Sequence, residues 1–109
     1  MALDISRLGA DMLRAMRGVL ERDWPEVKDY AEAESRKLAE ALAMIGRLAE
    51  QGRISAAQAR LHLAMQKNAA MMVLLTMEGM GALMVERAID SALAAVRDTV
   101  NTALRFTLL

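Results

Sequence analysis

Two residues have types that could do chemistry, the single histidine His62 and the isolated carboxyl of Glu78, and their neighbours decide what chemistry is open. Positions three, four and seven away from Glu78 on a helix hold Met71, Leu74, Leu75, Gly81, Ala82 and Val85, so no rotation gives it a polar face. Burial there without a partner favours the neutral acid. Counting back across a turn at Gly52 brings Glu78 level with Asp29 and Tyr30, and Glu34 interrupts the apolar stripe of that same segment. Glu78, Glu34 and Tyr30 therefore form the candidate buried polar site. Carboxyls facing one interior could bind a metal or share protons; the plainer expectation is that Tyr30, Lys28 or an arginine of a neighbouring chain satisfies Glu78.

Catalysis finds little else to work with. A di-iron carboxylate bundle needs Glu-x-x-His pairs, and Ala59 stands three residues before His62. There is no cysteine, so neither a thiolate ligand nor a cysteine nucleophile exists, and no serine, histidine and acid set reads as a triad. Gly79-Met80-Gly81 lacks the length and the lysine of a phosphate loop. The expectation is a protein without catalytic activity, resident metal or cofactor. Its ten methionines are the compositional oddity. Thioethers bind copper(I) or line adaptable grooves, but at helical spacing in a chain with 3% aromatic residues they read first as core filling.

Composition narrows the partners. The 14 basic and 14 acidic side chains cancel, leaving no excess positive charge to neutralise phosphates, and Trp24, Tyr30 and Phe106 are too scattered to stack bases. Nucleic acid is not an expected partner. The opening Met-Ala-Leu-Asp-Ile-Ser-Arg has an acid where a secretory signal wants basic residues, so a cytoplasmic location is the expectation. Residues 69–85 carry one charge, Glu78, and stand at the short limit of a membrane span. The charged segment that must pack beside them argues against insertion, so membrane is an unlikely partner and a membrane-active helical protein only an alternative.

These residues must be positioned by helices. With 109 residues and 55% hydrophobic content, one domain is expected. Helix A, about 5–22, puts Ile5, Leu8, Met12, Met16 and Val19 on one face. A kink at Asp23-Trp24-Pro25-Glu26, with Asp23 as cap, leads into helix B, about 24–51, whose stripe includes Val27, Tyr30, Ala31, Leu38, Leu42 and Ile45. Gly52 suits the left-handed end of helix B, and Ser55 with Gln58 forms a capping box for the next helix.

Helix C, about 56–105, reads as one stripe: Leu61, Met65, Asn68, Met72, Leu75, Gly79, Leu83, Glu86, Ile89, Leu93, Val96, Val100 and Leu104. Unbroken, it would be about 75 Å long and would overhang its hairpin. A bend at 79–81 would close a monomeric bundle instead. Met77, Met80, Leu83 and Met84 are poor turn residues, which favours the unbroken helix with its glycines serving close helix contact. The resulting expectation is an all-α antiparallel helical hairpin with an additional N-terminal helix, its bundle completed by oligomerisation through a candidate interface of Met72, Leu75, Gly79, Leu83, Ile89, Leu93 and Val96. Such a chain is a methionine-rich, self-associating structural or interaction module, a dimer or higher homo-oligomer that could also accept a helical protein partner. A ligand- or metal-binding bundle using Glu78 and Glu34 is the alternative.

Overall fold

The computed structural model describes residues 3–77 and 79–109, and every regular element among them is helical. Helix α1, Ile5–Val19, starts where the Asp4 side chain accepts the Arg7 amide at 3.2 Å. Its Leu8, Met12 and Met16 recur every four residues and are buried. After Leu20 a 3₁₀ turn, Glu21–Asp23, redirects the chain into α2, Trp24–Glu50, with Pro25 in the first turn. Asp23 occupies the cap position but its side chain makes no capping bond, contrary to expectation; the preceding 3₁₀ turn has already given it a φ of −102° and ψ of 10°, away from the extended backbone that aims a cap side chain. The Arg17 guanidinium lies 5.7 Å from the centre of the Trp24 ring across this corner.

Helix α2 ends with Gly52 at φ +70°, a conformation that costs glycine nothing. Ser55 and Gln58 then form both bonds of the capping box, Gln58 N–H to Ser55 Oγ at 3.1 Å and Ser55 N–H to Gln58 Oε1 at 2.8 Å, and α3 runs Ala56–Leu75.

The unbroken helix C is not what the chain forms. Helix α3 stops at Leu75, and α4 begins at Ala82 and continues to Leu104. Thr76 closes the end of α3, its hydroxyl donating to the Val73 carbonyl at 2.6 Å, and Gly79 takes φ +84°. A Cβ built on Gly79 or Gly81 would meet no atom of the chain within 4 Å, so within the chain these glycines stand in a turn and not at a close helix contact. The methionines around the turn cover the end of the bundle: Met77, Met80 and Met84 are half-buried against the core. Bending turns Val85, Ile89, Val96 and Val100 of α4 inward, onto the same core as Leu8, Met12, Met16, Val27, Leu38, Leu42 and Ile45. The fourth helix is thus supplied by the same chain. Its radius of gyration, 13.6 Å, is that of a compact domain of about this length.

Packing is uneven around the bundle. Helix α1 lies against both α2 and α4, and α4 approaches α2 closely at Gly46, where an added Cβ would stand 2.9 Å from Leu104 Cδ2. Helix α3 packs mainly on α2 and α4. Just four of its 20 residues are buried, Ala59, Leu63, Ala70 and Leu74, and two of those are alanines. Beyond α4, Arg105 adopts φ 63° and the last residues fold back. Asn101 Oδ1 accepts the amides of Leu108 and Leu109 at 2.9 and 3.0 Å, and Arg60 Nε of α3 donates to the Thr107 carbonyl at 2.9 Å.

Candidate interaction surface

The helix stripe read straight through from Leu61 to Val96 is split by the turn into two halves with opposite fates. Ile89, Leu93 and Val96, three of the candidate interface residues, face the interior and are used up by the chain's own core. Met72, Leu75 and Leu83 are exposed, as is Gly79 in the turn. Leu61 and Met65 join them outside. The reason is rotational: on α3 the inward side is Ala59, Leu63, Ala70 and Leu74, and Leu61, Met65, Asn68, Met72 and Leu75 lie on the opposite side of the same helix.

From Leu61 to Thr76 the exposed positions are Leu61, Ala64, Met65, Asn68, Ala69, Met72, Leu75 and Thr76, and none carries a charge. Lys67, the charged residue within that stretch, is half-buried and reaches sideways to Asp90 of α4 at 2.6 Å. The outer surfaces of the other helices differ. Helix α2 exposes Asp29, Glu32, Arg36, Lys37 and Glu40, with Arg36 Nε 3.2 Å from Glu40 Oε1; α4 exposes Glu86, Arg87, Asp90, Arg97 and Asp98. Large side chains exposed singly are ordinary on a protein surface; an uncharged band about 20 Å long along one helix sets this face apart from the others.

The candidate buried polar site does not assemble among the described residues. Glu78 lies outside them. Tyr30, expected on the buried stripe, is 48% exposed, because the inward face of α2 is set by Val27, Ala31, Glu34, Leu38 and Ile45, and Tyr30 falls beside it. Glu34 is buried, with 4% of its surface exposed, and its Oε2 accepts from Lys37 Nζ at 3.2 Å. Lys37, one turn further along the same helix, is a member of the site that the sequence expectation lacks, although the three-residue spacing of acid and base is a signal for it. Beside it, Ser35 Oγ lies 3.9 Å from Met16 Sδ, a weak contact that gives a buried hydroxyl its acceptor.

Among the described residues no three of His, Cys, Asp and Glu stand close enough to hold a metal ion. His62 is half-buried on α3 near its amino end. An open groove of about 520 Å³ lies between α1 and α2, lined by Ile5, Ser6, Gly9, Leu13 and Ala33 together with Asp29, Glu32 and Arg36. It brings charges of both signs to a shallow surface and no nucleophile paired with a base. No helix among the described residues is long and apolar enough to cross a membrane, since the segment 69–85 is divided by the turn.

Compared with protein-family models, with curated proteins and with solved structures, the chain matches none. Whatever it does must be read from its own surface.

Proposed function

We propose that this protein is a self-associating helical module whose contact surface is the outward face of α3, and that it serves as a structural or interaction element rather than a catalyst. The observation that carries the reading is the uncharged band from Leu61 to Thr76 on a bundle whose other outer faces are charged. Covering a large apolar side chain is worth about 1.5–3 kcal/mol when it is complete. Leu61, Met65 and Met72 are largely uncovered in the single chain and Leu75 is partly so, so a helix laid along them gains several such increments at once. Leu83, at the start of α4, adds a further exposed side chain near the turn.

The reading differs from association through an overhanging helix, because the bend removes the overhang and the second half of the stripe. Association is left as an option of the folded chain and not a condition of folding. Light scattering over a wide concentration range tests it. The expected mass rises from 11.9 kDa at high dilution toward a multiple of that value. Replacing Met65 and Met72 together by Gln should hold the mass at one chain. A wild type that stays at one chain mass up to its solubility limit would refute the proposal.

A further inference from the structure

We propose that the groove between α3, α4 and the folded-back end of the chain is a binding site for an amphiphilic carboxylate, an alkyl chain ending in a carboxyl group. The site lies on a different side of α3 from the uncharged band and does not depend on self-association.

Lys67 of α3 and Asp90 of α4 join across this groove at 2.6 Å. The two helices run antiparallel about the turn that links them, and seven residues are close to two full helical turns. Seven positions back along α3 and seven on along α4, the same two faces therefore meet again, and the residues there are Arg60 and Arg97. Where the first level sets a base against an acid, the second holds two guanidiniums, and both line the groove. Among the described residues no carboxylate pairs with either. Asp90 is taken by Lys67, and Asp98, the residue after Arg97, is turned about 100° away from it around α4. In a chain of zero net charge this is a local positive excess suited to an anion.

Arg60 is already aimed. Its Nε donates to the Thr107 carbonyl at 2.9 Å, which holds the guanidinium in place and leaves its terminal amino groups for a second oxygen. A carboxylate set between two guanidiniums accepts charge-assisted hydrogen bonds from both. The end of the chain shows what chemistry the groove accepts. The segment that places an oxygen on Arg60 carries Leu108 and Leu109, both of which line the groove, and Leu108 is only 6% exposed. The Leu109 oxygen is held by Asn101 Nδ2 at 3.3 Å and so does not serve the arginines.

Between the two levels the groove is walled by Leu63 and Leu93, and Ala64 and Ala94 leave it a volume of about 470 Å³. From the arginine level to the Lys67–Asp90 pair is roughly 10 Å, room for an unbranched alkyl chain of medium length. A bare anion gains the guanidiniums alone, and a neutral chain gains the leucines alone. A ligand that has both parts gains both.

Decanoate, kept below its micelle concentration, is the probe, titrated into the isotope-labelled full chain, with decanol and inorganic phosphate as separate arms. The expected result is saturable shifts of the Arg60 and Arg97 amides and of the Leu63 and Leu93 methyls, with a dissociation constant for decanoate at least about tenfold below that of either control. Arg97→Gln, at a side chain that makes no ion pair among the described residues, should weaken decanoate about tenfold and leave decanol unchanged. Ala94→Leu, at an exposed position that narrows the groove, should weaken both, with far-UV circular dichroism of the two variants unchanged. Phosphate binding as tightly as decanoate would overturn the alkyl part of the assignment, and decanol binding as tightly would overturn the carboxylate part. Shifts centred on Leu61, Met65 and Met72, decanoate binding unaltered by both substitutions, or no saturable shift with any probe would overturn the site itself.

Discussion

Leu61 and Leu63 stand two residues apart on α3 with opposite surroundings, the first 64% exposed and the second 7%. Truncating each to Ala removes the same atoms. At position 63 it removes nearly the full burial of a leucine and leaves a cavity, which in well-packed cores costs 2–5 kcal/mol; an edge helix can settle inward, so the low end, about 2–3 kcal/mol, is expected. At position 61 about a third of the side chain is covered, and the better helix propensity of Ala offsets part of that, leaving about 0.5 kcal/mol or less. The two variants should therefore differ by about 2 kcal/mol. With a urea slope of about 1–1.5 kcal/mol/M for a chain of this size, that is a gap of roughly 1.3–2 M in midpoint. The measurement is urea unfolding followed by far-UV circular dichroism, at a dilution where light scattering gives one chain mass. Repeated at high concentration, the wild type and Leu63→Ala should both gain stability by mass action, and Leu61→Ala should gain much less. Equal losses at the two positions, or the larger loss at 61, would mean that α3 is rotated by about half a turn from the face assigned to it, and the surface built on that face would fall with it.

Further substitutions probe the elements of the bundle. Gly18→Ala, where an added Cβ meets nothing within 4 Å inside α1, should stabilise by about 0.5–1 kcal/mol, and Gly52→Ala, at φ +70°, should destabilise by about 1 kcal/mol; thermal melts that move in the same direction would refute the conformational assignments. Lys37→Met leaves the buried Glu34 carboxylate without its cation and should cost about 1–2 kcal/mol, most of it recovered when Glu34→Gln is added; a double variant no better than the single one would show that the pair is not coupled. Asn101→Ala removes the acceptor of the Leu108 and Leu109 amides and should abolish their slowed hydrogen exchange while the α4 core retains its protection.

Local signals were legible in the sequence, and the rotation of a helix was not. Ser55, Gln58 and Gly52 act within a few residues of themselves, and the capping box and the left-handed turn form where those residue types predict. The break between Ala56–Leu75 and Ala82–Leu104 carried signals too, Thr76 with Gly79 and Gly81, but they were outweighed by the methionines around them. A turn that meets solvent wants polar residues; this one closes the end of a core, and its apolar residues are packed instead of washed. Periodicity failed on α3 for a different reason. That helix has two apolar faces, a small one of Ala59, Leu63, Ala70 and Leu74 and a large one through Leu61, Met65, Met72 and Leu75, and a pattern alone ranks the larger first. The fold buries the smaller. In the buried polar site the error was one of angle: Glu34 turns inward with Lys37 beside it, and Tyr30, four positions earlier, already points out.

The choice of the smaller face has an energetic consequence. Alanines at 59 and 70 bury little apolar area, so α3 is held to α2 and α4 mainly by Leu63 and Leu74. Its larger side chains, Leu61, Met65 and Met72, leave most of their surface in water on the far side and contribute correspondingly little to the single folded chain. A second helix laid along them adds stability to α3, and linkage requires that stabilising α3 and forming the pair be one effect seen from two sides. Hydrogen exchange of the α3 amides should accordingly slow with protein concentration, while those of α1 and the core of α4, already fixed within the chain, should not. Concentration-independent exchange in α3, in a sample whose mass shows association, would mean that the copies meet through another face.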